Sequence, residues 1–224
     1  MPPRTRRSLC PLGLWGLMAL LLVATTGCRE RNRPINRDID RYRLPVVTSE
    51  VVMETTAGDI RLELFHNQSP KTVAQFLEYA EEDFYQGTLF HRVIDGFMIQ
   101  GGGFTPELER KEPTKPNLPN EAFNGLKNTR GTIAVARTME KDSGNAQFFI
   151  NVSDNPNLDH GAVNFGYAVF GRVTSGMEVV DAISKIPTTT RKGLPEVPVE
   201  PVEILDVRKV DTTRRSPLDP PERR

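Results

Sequence analysis

Apolar and polar residues alternate along two neighbouring stretches of the chain, residues 51–55 and 60–65. A period of two is typical of strands that bury one face. The segment between them, residues 56–59, contains Gly58, and glycine favours the tight turns that join antiparallel strands. The pattern therefore predicts a β-hairpin at the start of the folded domain.

The pattern then changes to helical spacing. Apolar residues recur at intervals of three and four, which predicts an amphipathic helix lying on a core: Val73, Phe76, Leu77 and Ala80. Just before them, Ser69 and Pro70 suit an N-cap and a first helical position. A second short helix is predicted near residues 177–186.

The rest of the domain contains mostly short strand-like runs. They lie at residues 87–93, 97–100, 132–137, 147–151, 167–173 and 202–210. Many short strands with few helices favour a closed sheet, because closure pairs every edge strand. The pattern thus predicts a mainly β fold in which two helices cover the open ends of a barrel.

The amino-terminal region has a different composition. Arginines at positions 4, 6 and 7 precede the uncharged run 8–27, a pattern typical of a secretory signal segment. This run ends in Ala-Thr-Thr-Gly-Cys28, which resembles a bacterial lipobox, so Cys28 is a candidate lipid attachment site. Simple secretion and a retained transmembrane anchor are the alternatives.

Two polar segments flank the predicted domain, 48–211. Residues 28–47 are rich in arginine and poor in apolar residues, which predicts a flexible tether. The tether could contact anionic lipid or act as a solvated spacer. Residues 212–224 are rich in proline and charge and are interpreted as a disordered tail. Both cysteines, Cys10 and Cys28, lie outside the domain, so we expect no disulfide within it.

Overall charge adds little, since 29 basic residues balance 29 acidic ones and nothing favours a nucleic-acid partner.

The residues around Arg92 are more informative. Residues 90–104, FHRVIDGFMIQGGGF, place Arg92 among aromatic and thioether side chains beside a run of glycines. Residues 144–151, GNAQFFIN, again set amide groups beside phenylalanines. A lone arginine in such surroundings is either half of a surface ion pair or a functional cation.

Together these two segments resemble the signature of the cyclophilin family of peptidyl-prolyl isomerases. Further segments match in the same order and are similar to the bacterial periplasmic branch: residues 120–122, 125–126, 130–132 and 165–171. The resemblance covers about residues 51–210. It implies a closed eight-stranded antiparallel barrel capped by two α-helices, and a monomer.

The resemblance also implies roles for individual residues. Arg92 and Gln100 would be catalytic, with Arg92 donating a hydrogen bond to the prolyl nitrogen and Gln100 contacting the substrate backbone. Eight residues would bind substrate: Phe97, Met98, Ala136, Arg137, Gln147, Phe149, Leu158 and Tyr167. No cofactor or metal is expected. The three histidines, His66, His91 and His160, are not paired at metal-ligand spacing.

Three positions depart from common family members. Arg137 stands where many eukaryotic members have asparagine, and Tyr167 where many have histidine. Asn157 falls where an aromatic residue is typical. Because a large ring at the pocket rim is lost, we expect weak binding of cyclosporin.

The sequence therefore predicts a peptidyl-prolyl isomerase that accelerates rotation about X-Pro bonds during the folding of exported proteins. Its partners would be proline-containing unfolded or extended polypeptides, and a lipid anchor would hold it to a membrane. The expected location is periplasmic, at the outer membrane if the host is Gram-negative. The alternative is a non-catalytic proline-peptide-binding or chaperone module on the same fold.

Overall fold

The computed structural model describes residues 47–210. The predicted leader, Cys28, most of the predicted tether and the carboxyl-terminal tail lie outside these residues. Strand β1 begins at Val47, the last residue of the predicted tether and four residues before the strand predicted from alternation. Within the described residues, no helix is both long and apolar enough to cross a membrane.

Ten strands and two α-helices are present in residues 47–210. The strands are β1 (Val47–Thr55), β2 (Gly58–Phe65), β3 (Thr88–Ile94), β4 (Met98–Gly101), β5 (Thr132–Val135), β6 (Phe148–Asn151), β7 (Val169–Ser175), β8 (Thr188–Arg191), β9 (Leu194–Pro198) and β10 (Glu203–Lys209). The helices are α1 (Pro70–Glu81) and α2 (Met177–Ser184).

Eight of these strands form a closed antiparallel barrel in the order β1-β10-β3-β4-β6-β5-β7-β2, where β2 pairs again with β1. The predicted mainly β fold, a closed eight-stranded barrel with two α-helices, is therefore confirmed. Each predicted strand after the first is present, with its ends shifted by two residues at most. Closure pairs every strand of the barrel on both sides and leaves no free edge.

The predicted amino-terminal hairpin joins β1 to β2. Thr55 pairs with Gly58, so the loop contains only Thr56 and Ala57. Gly58 has φ +126, a conformation that side chains disfavour. The Thr55 hydroxyl donates to the carbonyl of Gly58 at 2.6 Å and accepts from the Ala57 amide at 3.1 Å. These bonds satisfy polar groups at the turn.

Helix α1 begins where the sequence predicted, with Ser69 at the N-cap position and Pro70 first. The predicted capping by the Ser69 side chain is wrong, because its buried hydroxyl donates to the carbonyl of Val169 at 2.8 Å. The carboxylate of Glu121 takes its place. It accepts from the amides of Lys71 and Thr72, at 3.3 and 2.9 Å. An anionic acceptor at a helix amino terminus also suits the helix dipole.

The barrel interior is filled by aromatic rings that α1 helps to enclose. Phe76 of α1 lies with its ring centroid 5.1 Å from Tyr85 and 5.9 Å from Phe148 of β6. Tyr85 and Phe148 meet edge to face at 5.6 Å. All three side chains are buried. Aromatic packing of this kind contributes beyond the area it buries, so it stabilises one arrangement of the helix on the barrel.

The sequence did not predict β8 and β9, which form a separate two-stranded sheet. Prolines at positions 187, 195 and 198 disfavour strands, and the runs between them are short. The turn is nevertheless regular. Lys192 and Gly193 have φ values of +48 and +79, the positive pair that a two-residue type I′ hairpin turn requires.

His91 on β3 generates a prediction about stability. The side chain is buried, and this burial lowers its pKa to about 4. The charge of Arg92 also lowers the pKa, whereas a backbone contact with Leu89 raises it in part. The unfolded chain, with a histidine pKa of about 6.5, then binds more protons than the folded protein between these values. The free energy of unfolding is therefore not lowered by His91 above about pH 6.5. As the pH drops towards 4, protonation of this histidine in the unfolded chain lowers that free energy by up to about 3 kcal/mol.

We expect urea unfolding at pH 7 and pH 4.5 to show this loss, and His91→Phe to reduce it. The carboxylates titrate in both proteins, so the comparison between them isolates the histidine. An equal loss of stability in the variant would contradict the assignment to His91.

Candidate functional site

A groove lies on the outer face of the barrel, where β3, β4, β6 and β5 are neighbours. It encloses about 100 Å³ and is lined by nine residues: Arg92, Phe97, Met98, Gln100, Ala136, Arg137, Phe149, Leu158 and Tyr167. Every one of them is a predicted site residue. The tenth, Gln147, lies in an adjoining cavity that shares Gln100, Ala136 and Arg137 with the groove.

Strand register brings the polar and apolar parts of the groove together. Arg92 of β3 pairs with Gln100 of β4, and Gln100 pairs in turn with Phe149 of β6. Residues opposite each other in antiparallel strands point to the same face. Arg92 is half-buried, whereas the next residue, Val93, belongs to the core, as expected for alternating faces. The cation, the amide and the ring therefore form one row across three strands.

The two glutamines of the site are linked. The side-chain amide of Gln100 donates to the side-chain oxygen of Gln147 at 3.0 Å, which joins the groove to the adjoining cavity. Gly103 lies against this pair, and a Cβ atom built on it would be 2.4 Å from the Gln147 amide nitrogen. Only glycine leaves room for Gln147 here. This close approach gives a physical reason for one member of the glycine run.

The apolar part of the groove is a second, smaller cluster on the outside of the barrel. Its buried members are Met98, Ala134, Phe149 and Val169, and Phe97, Leu158 and Tyr167 pack against them. The rings of Phe149 and Tyr167 meet edge to face at 5.6 Å. These side chains form a pocket of the size and polarity that suit a small apolar ring.

Arg137 is engaged within the protein. Its guanidinium carbon lies 4.5 Å from the centroid of the Tyr167 ring, a cation–π contact. Its Nε donates to the carbonyl of Gly166 at 2.9 Å, and a terminal nitrogen donates to the carbonyl of Thr138 at 2.8 Å. Arg137 therefore fixes the orientation of one wall of the groove.

A buried asparagine network supports the pocket from behind, and the sequence did not reveal it. The Asn155 amide donates to Asn151 at 2.7 Å and to the carbonyl of Phe97 at 3.0 Å. The Asn128 amide donates to the carbonyl of Leu158 at 3.1 Å. Buried polar groups that are satisfied in this way specify one local arrangement. The available signal was Asn151, which directly follows the apolar run 148–150.

The other missed residue is Glu196 of β9. Its carboxylate accepts from the Nε of Arg92 at 2.7 Å, with the two side chains 38% and 41% exposed. Arg92 is thus paired with a residue 104 positions away, from a strand that the sequence did not predict. Arg92 therefore belongs to an ion pair and also lines the groove.

Asn157 is exposed and does not line the groove. Its carbonyl accepts from the Asn164 side chain at 2.8 Å, which ties two loops together.

Within the described part of the chain, no group of three or more His, Cys, Asp or Glu residues could hold a metal ion. The groove offers a permanently charged donor beside an apolar pocket, which suits binding and polarising a neutral group.

Comparison with known proteins gives a consistent result. Residues 50–209 match the model of the family described as cyclophilin type peptidyl-prolyl cis-trans isomerase/CLD. Peptidyl-prolyl cis-trans isomerase A of Dickeya dadantii is 52% identical over 161 residues, which are 72% of this chain and 84% of that protein. Peptidyl-prolyl cis-trans isomerase B of Escherichia coli is 50% identical over 161 residues, 70% of this chain and 97% of that one.

Among solved structures, a cyclophilin type peptidyl-prolyl cis-trans isomerase of Cryptosporidium parvum superposes with a TM-score of 0.59 at 27% identity, covering 72% of this chain and 97% of that one. Another structure of that protein, determined in the presence of the dipeptide Ala-Pro, gives a TM-score of 0.57. The family model spans most of the chain, and the two bacterial relatives are 52% and 50% identical to it. The chain belongs to the cyclophilin family and is a cyclophilin-type peptidyl-prolyl cis-trans isomerase.

Proposed function

We propose that this isomerase accelerates rotation about X-Pro bonds in exported polypeptides as they fold, with Arg92 as its electrophile. The observation that carries the proposal is the row formed by Arg92, Gln100 and Phe149 across three strands. It places a fixed cation and an amide beside the pocket that would hold the proline ring.

The reaction requires no bond to be made or broken. Amide resonance sets a barrier of about 18–20 kcal/mol, and uncatalysed isomerisation takes tens to hundreds of seconds. An acceleration of about 10⁵ requires about 7 kcal/mol of preferential transition-state stabilisation. Binding and electrostatics are the means by which such a site can supply it, since no nucleophile is needed.

Arg92 suits this task because twisting the amide localises the lone pair of the prolyl nitrogen. That nitrogen then accepts a hydrogen bond, which it does poorly in the planar ground state. A guanidinium donor aimed at it stabilises the twisted state selectively, and arginine stays ionised throughout the physiological range. Gln100 would hold the substrate backbone, while Phe97, Met98, Phe149, Leu158 and Tyr167 would receive the proline ring.

Ala136, Arg137 and Gln147 line the continuation of the groove into the adjoining cavity. We assign them to the extended polypeptide next to the proline. Because Arg137 is already bound to Gly166 and Thr138, its contribution would be a shaped wall rather than a free charge. The enzyme would act as a monomer and would need no cofactor.

The role of Arg92 predicts that Arg92→Ala lowers the isomerisation rate by about 100-fold or more, as removal of a transition-state donor does elsewhere. Arg92→Lys should recover little, because an ammonium lacks the planar set of donors. The measurement is cis–trans exchange of a short Ala-Pro peptide by NMR. Arg61→Ala, at an exposed position on β2, is the matched control and should leave the rate unchanged.

A folded Arg92→Ala protein with an undiminished rate would overturn this role. If the wild-type protein binds the peptide without accelerating its exchange, the groove is that of a peptide-binding or chaperone module.

The contact between Gly103 and Gln147 predicts that Gly103→Ala weakens peptide binding. The new Cβ displaces the Gln147 amide and breaks its hydrogen bond with Gln100. A net value of about 0.5–1.5 kcal/mol for one hydrogen bond corresponds to a dissociation constant about 2- to 12-fold higher. Gly161→Ala is the control, because nothing lies within 4 Å of the new methyl group there. Equal peptide affinities for the two variants, measured by NMR titration, would refute this account of Gly103.

We further propose that the enzyme is exported and anchored by a lipid on Cys28, in the periplasm and at the outer membrane if the host is Gram-negative. The support is the basic, then apolar, leader that ends in the lipobox-like segment before Cys28. The arginine-rich residues 28–46 would then separate the barrel from the membrane.

The anchor predicts that Cys28→Ser releases the enzyme in soluble form or leaves an uncleaved precursor, because the acceptor thiol is lost. Fractionation of cells, followed by mass spectrometry of the amino terminus, measures both outcomes. Processing and location identical to the wild type would rule out lipidation at Cys28.

A further inference from the structure

The contact between Glu196 and Arg92 is directional. Glu196 binds Nε of the guanidinium at 2.7 Å, and within residues 47–210 the terminal nitrogens of Arg92 make no hydrogen bond. A guanidinium is planar and rigid, so an acceptor on Nε sets the direction of the other two nitrogens. Since Arg92 lines the groove, those two nitrogens are left for a ligand there.

The local backbone is shaped to deliver this carboxylate. Thr189 pairs with Val197 and Arg191 with Leu194, so β9 carries one residue more than β8 between the paired positions. Such a bulge changes the direction of a side chain. Glu196 lies in the bulge with φ +60, a left-handed conformation that is unfavourable for glutamate.

The hairpin is also held firmly against the strand that carries Arg92. Val197, next to Glu196, is buried in a small apolar cluster with Leu89 of β3 and Leu108, and Leu194 packs on the same cluster. The carboxylate is therefore positioned by packed apolar residues on both sides of the bulge.

Stability does not account for this arrangement. An ion pair whose partners are both more than a third exposed adds little to folding stability. A non-glycine residue in the left-handed region reduces it. Glu196 thus occupies a strained position for a contact of small structural value, which is the pattern of a functional constraint.

We propose that Glu196 is a positioning residue for the isomerase reaction, which fixes the Arg92 guanidinium so that its terminal nitrogens face the prolyl nitrogen. This proposal rests on the proposed role of Arg92. In this role the carboxylate acts through Arg92 and not directly on the substrate. Its effect falls on the turnover step, because a misdirected donor loses transition-state stabilisation while the apolar pocket still binds the proline.

The test compares Glu196→Ala, Glu196→Gly and Glu196→Gln in the full protein, with kcat and KM measured on an Ala-Pro peptide. We expect Ala and Gly to lower kcat about 10-fold with KM changed less than about 2-fold, and Gln to retain most of the activity because its oxygen can still accept from Nε. Glu196→Gly should be at least as thermally stable as the wild type, since glycine tolerates the left-handed conformation. A loss of activity in that variant therefore cannot come from unfolding.

Two further measurements complete the design. The Arg92 Nε–H signal in ¹⁵N NMR should move in Glu196→Ala, and in an Arg92→Ala background the Glu196 substitutions should cause no additional loss. Two results would overturn the positioning role. One is a kcat of Glu196→Ala equal to that of the wild type; the other is a Glu196 substitution that lowers kcat by the same factor in the wild-type and the Arg92→Ala backgrounds. If Arg92→Ala alone stays active, the role of Arg92 fails and this one fails with it. If Arg92→Ala is inactive and Glu196→Ala is not, only the positioning role fails.

Discussion

The antiparallel register of β3, β4 and β6 is the constraint on which both the core and the groove depend. It aligns Arg92 with Gln100 and Gln100 with Phe149. Because side chains alternate between the two faces of a strand, a slip of one residue in β3 would exchange Arg92 with Val93, which belongs to the core. The same pairing that fills the barrel with apolar side chains therefore turns the cation outwards. One strand register therefore determines both the packing of the core and the arrangement of the groove.

Much of this arrangement could be predicted from local pattern. Alternation indicated the hairpin of β1 and β2. Ser69 and Pro70, with the helical spacing after them, located α1 at its first residue, and α2 begins at Met177, where the predicted second helix begins. The groove residues were predicted by resemblance to a family rather than by periodicity, since aromatic residues and Met98 at strand spacing equally suit a core. The structure brings nine of the ten together in one groove.

What the sequence did not reveal depends on contacts between distant segments. Glu196 accepts a hydrogen bond from Arg92 although the two are 104 residues apart, and it lies on a hairpin whose prolines argue against strands. The buried amides of Asn128 and Asn155 support the pocket through backbone carbonyls, which leave no trace in the pattern of side chains. The sequence alone does not distinguish a glutamate or asparagine that is solvated from one that holds a site in place.

The amino terminus of α1 has a wider consequence for how the chain becomes a single cooperative unit. Its amides at Lys71 and Thr72 find their acceptor in Glu121, 50 and 49 residues further on, while Ser69, the local candidate, binds a strand 100 residues away. A chain ending before Glu121 would contain the whole helical pattern but lack the group that satisfies its first turn. Completion of this helix is therefore a non-local event. It ties the third element along the chain to segments synthesised long after it, which raises the contact order of the fold.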